Sequence, residues 1–144
     1  MERSQWIRIG LCGLVAGVVW HLLSILALST IAPDLATSVQ RNAPHSRLGG
    51  EFFFAIDLGM GVWAIWLYAE IAPRYGARST AAVVAGTGWW LLKTLQSAKW
   101  AGLGFLEPGP GLIPLGVATL AAALVATMAG ARLYASPMRR SSNA

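Results

Sequence analysis

Four long apolar runs separated by polar breaks dominate this chain of 144 residues. They cover about residues 9–31, 52–72, 80–103 and 112–133. Each run is close to the roughly 20 residues that an α-helix needs to cross the hydrocarbon core of a membrane. The pattern therefore predicts four transmembrane helices in a single domain. It also predicts a polar outer loop at 32–51, which can hold a short interfacial helix, and a disordered tail at 136–144.

The breaks between the runs decide how neighbouring helices are connected. The segments "APRYGARS" and "LEPGPG" are rich in proline and glycine, which is typical of turns. Both are too short to hold a folded domain, so consecutive helices should form antiparallel hairpins. The predicted fold is an all-α membrane protein, with four antiparallel transmembrane helices in a compact bundle.

Composition agrees with this class, and the positions of the basic residues orient it. Charged residues make up 12% of the chain, against about 25% in soluble domains. Two basic groups fall on opposite sides of the predicted membrane: Arg3, Arg8, Arg74, Arg78, Arg132, Arg139 and Arg140 on one, Arg41 and Arg47 on the other. Cytoplasmic loops carry the excess of arginine and lysine. Both termini are therefore predicted to be cytoplasmic, and the compact size suggests a bacterial inner membrane.

The third apolar run contains polar residues that a membrane span should avoid. Trp89, Lys93, Gln96 and Trp100 recur at helical spacing and form one stripe. A lysine at the centre of a span is unfavourable by about 2.5–3.5 kcal/mol. The stripe should therefore face the inside of the bundle. Trp89 is close enough to Lys93 for a cation–π contact.

Two more polar residues lie in the outer halves of other runs. His21 and Lys93 should lie roughly 15 Å from the outer ends of their helices, and Asp57 7–8 Å, at about 1.5 Å per residue. The inward polar cluster predicted from the sequence is Lys93, Asp57, His21, Gln96 and Trp89. Lys93 then either contributes to a ligand, ion or proton site, forms a structural pair with Asp57, or reaches toward the outer interface.

Several classes of site are disfavoured by motifs that the sequence lacks. There is no Gly-rich phosphate loop, nucleophile elbow or HExxH motif. The single cysteine, Cys12, rules out an internal disulfide, and His21 and His45 show no metal-ligand spacing. No cofactor or metal is predicted. The net charge of +5 lies at the ends of apolar runs rather than in one patch, so nucleic acid is not an expected partner.

One stretch resembles a family of small, uncharacterised bacterial four-span membrane proteins. The similar features are Gly59, then Trp66 to Ala69 at the end of the second run, 73–76 in the inner turn, and Gly86 with Trp89 in the third run. The resemblance covers about a third of the chain. It implies the four-span fold, and no activity or catalytic residue.

Three functions stay open at this stage. The leading one is a small, tryptophan-rich membrane protein without enzymatic activity, whose polar cluster binds a small ligand or is structural. The second is an accessory subunit that contacts other membrane subunits or a second copy of the chain. The third is a small membrane enzyme acting on a lipid-soluble substrate, with Lys93, Asp57 and His21 as acid and base groups. The lipid bilayer is the partner common to all three.

Overall fold

The computed structural model describes residues 3–42, 48–75, 78–102, 109 and 111–136, and all of their side chains except those of 38–42, 48–49 and 100–101. All regular structure in this part of the chain is helical. The five helices are α1 (Arg3–Ile31), α2 (Pro33–Asn42), α3 (Leu48–Tyr75), α4 (Arg78–Gly102) and α5 (Leu112–Ala135). The predicted all-helical class is thus confirmed for the described residues. Beyond Ser136, the predicted tail lies outside them.

Three of these helices are long and apolar enough to cross a membrane. They are α1, α3 from Gly50 onward, and α5. The chain is therefore a membrane protein by the length and composition of its helices. Helix α4 has 25 residues but is not among the three, because its second half carries Lys93, Gln96 and Lys99.

The four long helices pack so that each contacts its neighbours in the chain. Helix α1 packs against α3 and α5, and α4 packs against the same two helices from the other side. Contacts such as Trp20 to Asp57 and Trp90 to Gly116 join late positions of one helix to early positions of the next. Neighbouring helices are therefore antiparallel. We call the two ends the Asp57 end, where α3 and α5 begin, and the Arg8 end, where α1 and α4 begin.

Small residues allow α1 and α3 to approach closely. Gly13 and Gly17 on α1 face Gly61 on α3, and all three are buried. A Cβ atom at Gly17 would lie 2.7 Å from the backbone Cα of Leu58, and one at Gly61 would overlap the backbone of α1. Backbones that approach this closely leave no space for a side chain. The same close contact brings the side chains one turn further along within reach of Asp57.

Candidate functional site

Asp57 is the centre of the polar cluster. It lies on the face of α3 that also carries Gly61, Ala64 and Tyr68, and only 7% of the residue is exposed. Phe53, which the sequence places on this face, is 53% exposed because it lies near the start of the helix. A buried carboxylate is strongly unfavourable unless hydrogen bonds and an opposite charge compensate it. The neighbouring helices supply both.

Three donors from two helices reach the Asp57 carboxylate. Trp20 Nε1 donates to Oδ1 at 3.2 Å, and Lys93 Nζ donates to the same oxygen at 2.6 Å. His21 Nδ1 lies 2.9 Å from Oδ2. Helix α1 supplies the indole and the imidazole, whereas α4 supplies the ammonium group. Asp57 therefore links α1, α3 and α4 at one point.

The contact with Asp57 also determines that Nδ1 of the His21 ring carries a hydrogen. A carboxylate only accepts hydrogen bonds, so the proton of this bond belongs to Nδ1. The edge of the imidazole packs against Phe54, with ring centroids 4.9 Å apart. This carboxylate–histidine arrangement is used in proteins to orient an imidazole whose Nε2 does further work. Here it holds His21 on the side of Asp57 away from the pocket described below.

Lys93 is held in place by its ion pair with Asp57. Its side chain is 23% exposed. An ammonium group has three donors, and Asp57 accepts one of them. No second carboxylate pairs with Lys93 in the described residues. Two of its N–H groups are thus left for other acceptors.

Two predicted members of the cluster lie elsewhere. Gln96 is exposed and does not join the cluster, because the neighbouring helices do not cover the last turns of α4. Trp89 is fully buried, but its ring packs against Trp20, with centroids 5.0 Å apart, rather than over Lys93. The Trp89 indole N–H has no acceptor among the described residues. Trp89 therefore supports the indole that binds Asp57.

A pocket of about 300 Å³ opens beside the ion pair. It lies between α1, α4 and α5, and its wall includes Trp20, Ser24, Asp57, Trp90, Lys93 and Thr119. This volume is at the lower limit of the range for small-molecule sites, which is roughly 300–1,000 Å³. The wall combines two indole rings, four hydroxyl groups and one ion pair. Such a surface accepts a small molecule with one polar end.

Trp90 fixes the side of the pocket formed by α5. Its Nε1 donates to the Gly116 carbonyl at 3.0 Å and lies 3.3 Å from Thr119 Oγ1. Neither Trp90 nor Trp20 was among the site residues expected from the sequence. A tryptophan in an apolar run usually indicates core packing or an interfacial anchor. The one sequence signal for Trp20 is its place next to His21 and three residues after Gly17.

The described residues contain no group of three or more His, Cys, Asp or Glu side chains that could hold a metal ion. Comparison with known proteins gives no significant match to a family model, to a curated protein or to a solved structure. The resemblance to a bacterial four-span family therefore stays a prediction. The chemistry of the site rests on the geometry given above.

Proposed function

We propose that all four long helices cross a bacterial inner membrane as an antiparallel bundle, with both termini in the cytoplasm. The helices have 24 to 29 residues and are about 36–44 Å long at about 1.5 Å per residue. A hydrocarbon core is about 30 Å thick. The arginines of the Arg8 end, from Arg3 to Arg132, support the orientation by the positive-inside rule.

The ion pair explains how α4 can span although it is the least apolar long helix. Asp57 and Lys93 each lie nine positions from the Asp57 end of their helices, or roughly 13–14 Å at about 1.5 Å per residue. The two opposite charges are therefore at the same depth. Pairing removes the isolated charge that would otherwise oppose insertion of either helix. A reporter enzyme fused after Ala144 should be active only in the cytoplasm, and activity only outside would refute the orientation.

For the pocket, we propose binding of an uncharged, lipid-soluble molecule that carries a carbonyl or hydroxyl group. The observation that carries this proposal is the position of Lys93, whose ammonium group lies at the pocket wall while Asp57 neutralises its charge. A pocket without net charge favours a neutral ligand over an ion. Lys93 would donate a hydrogen bond to the polar end, and the rings of Trp20 and Trp90 would contact its planar or apolar part.

A variant that fills the pocket without touching the ion pair tests this function. Ser97 lines the pocket and Ala98 is exposed on the same helix. Ser97→Phe and the matched control Ala98→Phe would be purified with the wild type from host membranes in lipid nanodiscs. Solvent extracts would then be compared by mass spectrometry. We expect one compound to be bound in nearly equal amounts by the wild type and by Ala98→Phe. The amount bound by Ser97→Phe should be at least about fivefold lower, which corresponds to about 1 kcal/mol of binding free energy.

The opposite result is equally clear. If no compound distinguishes Ser97→Phe from Ala98→Phe, the pocket binds no such ligand. The cluster around Asp57 would then be a structural link between α1, α3 and α4. The unfolding temperatures of the two variants serve as the folding control, since both changes add the same ring to the surface of α4.

One observation favours a second candidate, a membrane enzyme that uses His21 as a base. Asp57 orients the imidazole as carboxylates do in catalytic dyads. However, His21 is not part of the wall of the pocket that contains Lys93. The binding function therefore has the stronger geometric support. The accessory-subunit function stays a prediction, which a lone monomer without co-purifying protein in mild detergent would oppose.

A further inference from the structure

A second pocket lies at the Arg8 end, between α3, α4 and α5. Its volume is about 320 Å³. The polar part of its wall consists of Tyr68, Arg78, Ser79 and Arg132, and the rest is formed by small and apolar side chains such as Ala82 and Met128. None of these residues belongs to the Asp57 cluster. The pocket is therefore a separate feature of the fold.

Tyr68 is the feature of this pocket that points to a ligand. The residue is 2% exposed, and its ring packs edge-on against Tyr134 at 6.0 Å. Its hydroxyl forms no hydrogen bond to any other described residue. The hydroxyl is not among the buried side-chain atoms that lack a partner, so it keeps some accessible surface and can take a hydrogen-bond partner from outside the chain. An acceptor in the pocket would supply that partner.

The charges around the pocket favour an anion. Arg78 and Arg132 come from two different helices, and neither forms an ion pair within the described residues. Helix α4 begins at Arg78, so its first N–H groups, which lack intrahelical acceptors, lie at the same place. The positive end of the helix dipole adds to this field. The opposing C-terminal end of α5 is capped, because Arg8 and the Ser136 N–H bind its last carbonyl groups.

We propose that this pocket binds an anionic phosphate group. Arg78 and Arg132 would bind the oxygens of the phosphate group, and the Tyr68 hydroxyl would donate a further hydrogen bond to it. Basic pockets between membrane helices on the cytoplasmic side are suited to acidic lipid headgroups. The apolar wall formed by Ala82 and Met128 suits the glycerol and acyl part of such a lipid. Free phosphate has the same charged chemistry but does not use the apolar wall.

Native mass spectrometry of the full-length protein in detergent tests the site. The probes are phosphatidylglycerol, phosphatidylcholine with its compensating positive charge, and inorganic phosphate as a competitor. We expect one phosphatidylglycerol per chain in preference to phosphatidylcholine. Arg78→Gln and Arg132→Gln should each weaken binding by at least about fivefold, and Tyr68→Phe by about threefold, as expected for charged and neutral hydrogen bonds.

Arg74→Gln is the matched control, since Arg74 is an exposed arginine of the same end that is not part of the pocket wall. It should bind phosphatidylglycerol as the wild type does. If millimolar phosphate displaces the lipid, the phosphate group alone is the ligand. If it does not, the whole headgroup is recognised. The proposal is overturned if Arg74→Gln weakens binding as much as the pocket variants, or if phosphatidylcholine binds equally well.

Discussion

Lys93 and Arg8 are cationic side chains that each contact a neighbouring helix, one at each end of the protein. The two ends provide different kinds of binding partner. Lys93 pairs with one buried carboxylate, Asp57, which is also bound by Trp20 and His21. Arg8 instead binds the main-chain carbonyls of Tyr134 and Ser136 and lies over the Tyr134 ring, 5.1 Å from its centroid. One cation depends on a single side chain, whereas the other depends on the end of a helix.

The difference concerns what is left when one partner is removed. Without Asp57, the partly buried Lys93 charge has no carboxylate partner among the described residues. Without Arg8, the C-terminal carbonyls of α5 still accept hydrogen bonds from the Ser136 N–H, and the remaining ones face an exposed helix end. Unpaired buried charges are far more unfavourable than uncapped carbonyls near water. The Asp57 end should therefore be the more sensitive of the two.

The largest expected effect is that of Asp57→Asn. The side chain keeps its shape but loses the charge that compensates Lys93. Breaking a buried pair by removing one partner typically costs about 3–5 kcal/mol, and the partial exposure of Lys93 places the expected loss near 3 kcal/mol. The free energy of unfolding in mixed detergent micelles measures it.

The double variant Asp57→Asn with Lys93→Met is the decisive control. It removes both charges, so it should recover about 2 kcal/mol of the loss relative to Asp57→Asn alone. A double variant that is less stable than Asp57→Asn would mean that Lys93 contributes to folding independently of Asp57. The Asp57 end would then not depend on one carboxylate.

The second prediction compares Gly61, one turn from Asp57, with Gly130, near the Arg8 end. A Cβ at Gly61 overlaps the backbone of Gly13 and Gly17, so α1 and α3 must separate, and Gly61→Ala should cost about 2 kcal/mol. A Cβ at Gly130 lies 2.7 Å from Ile65 Cδ1, the far end of a side chain, and 3.0 Å from the main-chain oxygen of Cys12, so its contact with the backbone is looser than that at Gly61. Because alanine also favours helices by up to about 1 kcal/mol, Gly130→Ala should lose less than about 1 kcal/mol.

Gly59→Ala provides the matched control for both glycine variants. Nothing lies within 4 Å of a Cβ built at Gly59, which is two residues from Gly61 on the same helix. We expect it to be neutral or slightly stabilising in the same unfolding assay. If Gly61→Ala were as stable as Gly59→Ala, close packing of α1 on α3 would not determine the position of Asp57.

Helix positions and the pair of charges follow from the sequence for simple physical reasons. Apolar runs have the length of a membrane span, and glycine and proline break them, so the bounds of the four long helices lie within six residues of the runs that predict them. Asp57 and Lys93 are opposite charges in apolar surroundings, where few partners exist. Their pairing was therefore one of the alternatives open from the sequence. The helical spacing also indicates that Gly13, Gly17 and Gly61 face a neighbour.

The rest of the site could not be predicted, because it depends on where a helix face stops being covered. Gln96 shares the stripe of Lys93, but it is exposed, as are all side chains from Thr94 to Lys99. Trp20 binds Asp57 through its indole N–H. However, the apolar sequence around Trp20 does not distinguish a tryptophan that donates a hydrogen bond from one that only packs in the core. Such contacts depend on the rotation of one helix against another, which periodicity alone does not define.

The smallest expected effect is that of Arg8→Met, which tests the less sensitive end. Methionine retains an apolar side chain of similar length, so the change removes the charge, the hydrogen bonds to α5 and the contact with Tyr134. A cation at a helix C-terminus contributes about 0.3–1 kcal/mol, or up to about 2 kcal/mol when partly buried. We expect a loss of about 1 kcal/mol in the free energy of unfolding in the same assay.

The control is Arg3→Met, at an exposed position of the same helix, which should be close to neutral. If Arg8→Met lowers the free energy of unfolding as much as Asp57→Asn does, the proposed difference between the Asp57 end and the Arg8 end is wrong. The contacts of Arg8 at the end of α5 would then contribute as much stability as the buried carboxylate.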